Sequence, residues 1–370
     1  MTGDNKIVDC CCLKDSHLPD NLSSNLSSNP PAETPTTSST ARVISLDRIY
    51  PLVKNTEGEF RAQHSVEFVK GTDLRAVVGD IVSIESPPGQ DIPLITAIQP
   101  RGHTLIRRTV VESMSEGSGK HNEQILATNI DIVLVMVALS NLCLDLNYLE
   151  RQLVMAHDSG AEVALVLGKA DQSKRLDKDI AAANSVAFGC PVIAFSATTG
   201  EGIEQVHELV AGGRIGVLLG RSGVGKSTLI NKLVGTDLLE TNPVRSKDRA
   251  GRHTTVARRM IFLDEHEQKG DGSFLSWQNK TEMNRPLFVL SALGSAIIDT
   301  PGLRSVGLYD AWHGLAAAFP EITELAADCH YRDCSHTSEP GCKVIEAVQK
   351  GELSERRLAS YVEIAIEVKG

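Results

Sequence analysis

The sequence predicts a multidomain protein: an α/β domain of the phosphate-loop type, a small β-barrel before it and a mainly helical metal-binding segment after it. Three observations predict this. Short β-type runs crowd residues 41–113 with no helical pattern between them. From 122 to 304, strand-like apolar runs alternate with helical stretches, and four of those runs end in loops that carry glycine, serine or aspartate. Near the C-terminus, Cys329, Cys334, His336 and Cys342 fall close together.

A length of 370 residues allows about two to three domains at roughly 150 residues each. The net charge of -10 argues against non-specific binding of nucleic acid over the whole surface. Arg101, Arg107 and Arg108 remain a candidate local basic patch. Aromatic residues make up 4%, too few for a large stacking surface. No run of about 20 apolar residues exists, so no membrane span is expected. The first residues lack the apolar core of a signal peptide and carry acidic side chains, unlike a transit peptide. Eight cysteines in a chain this long fit a cytosolic protein with one metal site better than a disulfide scaffold.

Residues 1–40 are rich in Ser, Asn, Pro and Thr and predict a disordered extension, within which Cys10, Cys11 and Cys12 read as an incidental reduced cluster. Residues 41–113 carry β-type runs at 41–45, 65–69, 80–84 and 94–98, with a turn at Pro87, Pro88 and Gly89. Several short strands without helices between them predict the barrel. Residues 114–121, with Gly117 and Gly119, read as a linker. In 122–304, strands are expected at 130–137, 163–167, 192–195, 214–219 and 296–298. Helices are expected at 146–157, with Asp145 as N-cap, and from Ser227 onward. The motifs described next sit at the C-terminal ends of these strands, where α/β sheets bind ligands. Residues 305–370 are expected to be helical around the Cys/His cluster.

Gly220, Arg221, Ser222, Gly223, Val224, Gly225, Lys226, Ser227 and Thr228 match Gly-x-x-x-x-Gly-Lys-Ser/Thr in full. The glycines let backbone N–H groups curl toward phosphate oxygens, and the following helix adds the positive end of its dipole. Lys226 brings charge to the β- and γ-phosphates, and the Ser227 hydroxyl is a magnesium ligand. Upstream, Gly168, Lys169, Ala170 and Asp171 form a base-reading candidate, followed by Ser196 and Ala197. The Asp171 carboxylate can accept from the ring N–H and the exocyclic amine of guanine, a donor pair adenine lacks. Asn-Lys-x-Asp is the usual pattern at this point. Gly168 therefore removes an amide that would bond guanine and tether the phosphate loop, a loss on the order of 1–3 kcal/mol.

Downstream come Gly251, Arg252, His253, Thr254 and Thr255, then Asp299, Thr300, Pro301 and Gly302. Either Thr254 or Thr255 can complete the magnesium shell beside the γ-phosphate, Asp299 can hold the ion through water, and the Gly302 amide can sense the γ-phosphate. Leu303 stands where a water-orienting Gln often lies. An apolar side chain cannot orient water, so His253 is the candidate for that task. Lys226, His253, Thr254 and Thr255 are thus the catalytic candidates. Base-reading motifs ahead of the phosphate loop reverse the ordinary GTPase order, so the parts fit a circularly permuted GTPase.

Cys329, Cys334, His336 and Cys342 follow Cys-x4-Cys-x-His-x5-Cys. Three thiolates and an imidazole at this spacing suit a closed, structural, tetrahedral zinc site. His330 is a competitor, though its place beside Cys329 makes simultaneous ligation awkward.

From residue 41 onward the chain resembles the RsgA family of circularly permuted, small-ribosomal-subunit-dependent GTPases. The resemblance rests on the permuted order, the phosphate loop, residues 251–255 and 299–302, and the Cys/His set. It implies an N-terminal OB-fold at 41–113, a permuted GTPase domain at 122–304 and a zinc-binding domain at 305–370. It also implies late maturation of the small ribosomal subunit, contact with ribosomal RNA, and GTP hydrolysis stimulated by the subunit. GTP or GDP with magnesium, one structural zinc, a monomeric state and a cytoplasmic location complete the expectation. The extension 1–40 and the polar stretch at 264–290 are additions to the family pattern. A non-catalytic, nucleotide-gated RNA-binding module is the rival reading favoured by Gly168 and Leu303. An ATPase or kinase is a third, and Asp171 argues against it.

Overall fold

The computed structural model describes residues 37–46, 49–111, 120–140, 142–239, 258–263, 293–300 and 307–370. The extension up to residue 36, residues 114–119 of the expected linker, His253, Thr254, Thr255, Gly302, Leu303 and the 264–290 stretch lie outside the described residues.

The N-terminal strands are organised by β1 (Thr37–Ser45), which pairs antiparallel with β2 (Leu52–Asn55) and with β5 (Ile81–Ser86). β2 turns into β3 (Gly58–Arg61), with the Asn55 side chain accepting from the N–H groups of Glu57 and Gly58. β6 (Leu94–Ile98) continues the sheet from β5, and β4 (Gln63–His64) closes its edge. Alternate residues turn Ala41, Val43, Val53, Val82, Ile84 and Ile95 into a shared core. Two expectations change. β1 starts at Thr37, inside the expected extension, because Thr37 to Thr40 pair by backbone with β5 whatever their polar side chains. The run at 65–69 is a helix, α1 (Val66–Gly71), whose N-cap Ser65 accepts from the Phe68 N–H. A capping serine here overrides an alternation of Val66, Phe68 and polar residues that mimics a strand.

β7 (Thr104–Val111) and β8 (Lys120–Thr128) pair antiparallel, and β8 takes in residues 120 and 121 of the expected linker. β13 (Arg259–Phe262) joins the N-terminal sheet to the α/β sheet through the Ser45–Arg259 pairing.

The α/β sheet runs β11-β10-β9-β12-β14-β13. β9 (Ile132–Ala138), β10 (Glu162–Gly168), β11 (Val192–Phe195), β12 (Ile215–Leu219) and β14 (Ala296–Asp299) are parallel, and β13 is antiparallel to β14. These strands are near-continuous apolar runs because helices cover both faces. Leu149, Leu153 and Val154 of α2 (Leu146–Asp158) and Ala183 and Val186 of α3 (Leu176–Ala187) pack on one face. Val206 and Val210 of α4 (Ile203–Val210) and Leu229, Ile230 and Leu233 of α5 (Lys226–Val234) pack on the other. Asp145 caps α2 as expected, accepting from the Tyr148 N–H at 3.0 Å. Strand order reverses between β9 and β12, which opens the crevice at their C-terminal ends.

The C-terminal helices are α6 (Trp312–Ala318), α7 (Pro320–Ala326), α8 (Lys343–Gln349) and α9 (Glu355–Lys369). They pack on α2. A Cβ on Gly314 of α6 would lie 2.1 Å from the Val154 carbonyl oxygen, so the two backbones touch where only glycine fits. Glu150 of α2, fully buried, accepts from Arg356, Arg357 and Ser360 of α9. Among the described residues no helix is long and apolar enough to cross a membrane.

Candidate functional site

β12 delivers the phosphate loop into the crevice, and α5 carries it away. A Cβ on Gly220 would meet the Met136 carbonyl oxygen at 2.4 Å, so the loop's first glycine is needed for close approach to β9. Gly225, the N-cap of α5, has φ 107, which a side chain would resist. Lys226 is buried, and its Nζ donates to the carbonyls of Gly220 at 2.9 Å and Arg221 at 3.1 Å. Burial lowers its pKa, and the Asp299 charge opposes that shift. Asp299 closes β14 beside β12, in register with Leu218. Burial raises its pKa and Lys226 opposes the rise. Ser227 and Thr228 are half-buried in the first turn of α5. Ser222 and Gly223 are exposed, and Val224 is buried.

Thr300 was not singled out as a side chain in the sequence, yet its buried hydroxyl donates to the Leu218 carbonyl at 2.5 Å and pins the exit of β14 to β12. Tyr148 was also missed. Its ring lies 3.7 Å beneath the Arg221 guanidinium, a cation–π contact between α2 and the phosphate loop that no local pattern announces.

The base-reading candidates lie at the ends of the neighbouring strands. Gly168 ends β10, Lys169 takes a left-handed φ of 59, and Ala170–Gln172 form a 3-10 turn. Asp171 is exposed, and its Oδ1 accepts from the Ser196 hydroxyl at 2.7 Å. Ser196, fully buried at the end of β11, also accepts from the N–H groups of Thr198 and Thr199. Ala197, next in the chain, packs against the core under α4 and α5. The pairing of these two segments therefore has a physical form: one hydroxyl ties the carboxylate after β10 to the end of β11. A carboxylate so held can accept two parallel N–H donors.

The second cluster is built on α7 and α8. Cys342 is the N-cap of α8. Cys329 Sγ lies 3.8 Å from Cys342 Sγ and 3.7 Å from His336 Nδ1, and His336 Nδ1 lies 3.4 Å from Cys342 Sγ. The ligand atoms of Cys329, Cys334, His336 and Cys342 all lie within 4.8 Å of one another. A tetrahedron with metal–sulfur bonds of about 2.3 Å has edges of about 3.8 Å, so the four residues fit a metal ion through their own geometry. Glu339 braces the loop: its carboxylate accepts from the Ser335 hydroxyl and from the N–H groups of Ser335, Thr337 and Ser338. The Ser335 contacts foremost hold its pKa well below the usual range. His330 stands outside the set, with its ring against Tyr331 at 4.6 Å.

The basic patch does not survive folding. Arg101 pairs with buried Asp80 and Arg108 with Asp158 and Glu123, which leaves Arg107 beside Arg258.

The fold and site define a phosphate-loop GTPase in circularly permuted order. The profile of the RsgA GTPase family matches residues 98–271, and that of the 50S ribosome-binding GTPases matches residues 215–359. A protein of Streptomyces avermitilis named small ribosomal subunit biogenesis GTPase RsgA is 39% identical over 86% of this chain and 77% of its own length. A protein of the same name from Methanosarcina acetivorans is 32% identical over 79% of this chain and 69% of its own length. Among solved structures, YjeQ from Thermotoga maritima has a TM-score of 0.61 at 24% identity, covering 90% of this chain and 99% of that one. YloQ, described as a circularly permuted GTPase, has a TM-score of 0.58 at 17% identity, covering 92% of this chain and 98% of that one. The chain belongs to the RsgA GTPase family.

Proposed function

We propose that this GTPase binds the small ribosomal subunit in the cytoplasm, acts there as a monomer in late maturation, and hydrolyses GTP faster when bound. One observation carries the reading: Lys226, Asp299 and a Ser196-held Asp171 converge at the C-terminal ends of parallel strands in permuted order. The name shared by relatives up to 39% identical supplies the partner.

In this reading residues 220–228 wrap the phosphates, and Lys226 neutralises charge at the β- and γ-positions. Asp171 reads guanine, with Gly168, Lys169, Ala170, Ser196 and Ala197 shaping its pocket. Ser227 and Asp299, with Thr254 or Thr255, would hold magnesium, which when bound spreads the charge that develops on the transferred phosphoryl group. Gly302 would sense the γ-phosphate and His253 would orient the attacking water. The N-terminal strands would serve as an OB-fold. The Cys/His set would hold one structural zinc, supported by thiolate-rich donors at tetrahedral edge distances.

Linkage makes the coupling reciprocal: if GTP favours the subunit-bound state, the subunit favours GTP over GDP by the same factor. Co-sedimentation with purified small subunits under GTP, GDP and a non-hydrolysable analogue, with multiple-turnover phosphate release, tests this. Stronger pelleting with GTP and a faster turnover on subunits are expected. Equal pelleting in all states with an unchanged rate would refute the proposal.

A further inference from the structure

Gly168 occupies the position of the usual asparagine, and the reason lies in space rather than backbone conformation. Its φ is outside the left-handed region, so any residue could adopt it. A Cβ there, however, would lie 3.0 Å from Met136 Cε and 3.2 Å from the Val224 carbonyl oxygen. Met136 is fully buried on β9, between the strands that carry the two loops. Its Cε also lies 3.5 Å from where a Cβ on Gly225 would stand, and its carbonyl borders Gly220. One residue thus touches the base-reading loop at Gly168 and the phosphate loop at Gly220 and Gly225.

We propose that Met136 is a positioning residue of the nucleotide site. Its terminal methyl fills the volume an asparagine at 168 would take, and it spaces the base-reading loop from the phosphate loop by packing instead of by a hydrogen bond. Met136 and Gly168 form a size-matched pair. Methionine suits the task because it is unbranched and polarizable, so it fits an irregular gap between two backbones. The proposal rests on the reading of this crevice as a GTP site.

The test is a double-mutant cycle of Met136→Val and Gly168→Asn, read by titration with a fluorescent GDP analogue and by thermal melting without nucleotide. Gly168→Asn alone should weaken binding about tenfold, because the added atoms push on Met136 and on the Val224 backbone. Met136→Val alone should weaken it about threefold by leaving the gap unfilled. In the Met136→Val background, Gly168→Asn should instead strengthen binding by about five- to tenfold, the worth of one regained hydrogen bond. Gly168→Ala, which adds only the Cβ, should weaken binding in the parent and weaken it less beside Met136→Val, where only the Val224 carbonyl at 3.2 Å still opposes it. The reversal of sign is what a general loss of stability would not produce. If Gly168→Asn and Gly168→Ala act equally in both backgrounds, the spacer role is wrong. Should the parent protein bind the GDP analogue and lose it on Lys226→Ala while the cycle is additive, only the spacer role falls. Should the parent protein not bind guanine nucleotide, the site reading falls with it.

Discussion

Replacing Arg357 with methionine should unfasten the C-terminal helices from α2. Arg357 is 4% exposed and donates at 2.6 Å each to Glu150, Glu321 and the Ala318 carbonyl. Its guanidinium also lies over the Phe319 ring, at 3.9 Å. Removing one partner of a buried ion pair costs about 3–5 kcal/mol. Glu150 would keep Arg356, at 3.0 Å to each carboxylate oxygen, and Ser360, so the lower end, about 3 kcal/mol, applies. That shifts the docking equilibrium of α9 by more than about a hundredfold. The effect should depend on pH. Burial pushes the Glu150 carboxyl up, but the bonds from Arg356, Ser360 and Arg357 outweigh it and hold the pKa below its ordinary value. A group depressed in this way stabilises above its unfolded pKa and loses that contribution as pH falls through the lower folded value. With one donor gone the Glu150 pKa rises, so the variant should lose stability at a higher pH than the parent. Amide hydrogen exchange of α2 and α9, with urea midpoints at pH 7 and pH 5, reads both effects. Protection of α9 within about threefold of the parent at pH 7, with identical pH dependence, would refute the assignment.

Cys334→Ser should remove the metal and expose α7 and α8 to proteolysis, because binding a structural ion contributes directly to the folding of so small a module. Elemental analysis should find one zinc per parent chain and none in the variant. Gly314→Ala should destabilise the α2–α6 contact by about 2 kcal/mol or more, since its Cβ would sit 2.1 Å from the Val154 carbonyl. A urea midpoint unchanged from the parent would contradict it. Asp171→Asn should shift preference from guanine toward xanthine nucleotides, and competition binding that shows no shift would remove Asp171 from base reading.

The placing of the phosphate-loop pattern after β12 and of Gly168 to Asp171 after β10 was legible because those residues carry their geometry locally. Glycines at 220 and 225 mark close approach and a left-handed N-cap, and buried apolar runs mark the strands that bear each motif. The Cys/His set was legible for the same reason, since its spacing lets four donors meet. What escaped depends on partners remote in the chain. The basic residues Arg101 and Arg108 looked free, but Asp80 and Asp158 neutralise them from 21 and 50 positions away. Residues 120 and 121, read with the linker, belong to β8 because backbone pairing with β7 holds polar residues in a strand. α1 was hidden by a six-residue segment whose cap mattered more than its alternation. Gly168 read as a lost hydrogen bond because nothing near it in sequence points to Met136.

The contact between α2 and α9 also sets a timetable for synthesis. Glu150 meets Arg357 and Ser360 across 207 and 210 positions, so its partners leave the ribosome long after it does. Until then the Glu150 carboxylate on α2 lacks the donors that hold it in the finished fold. Long-range closure of this kind slows folding and leaves unfinished intermediates prone to association. The packing around α2 is therefore completed only when the fifteen-residue α9 docks on it.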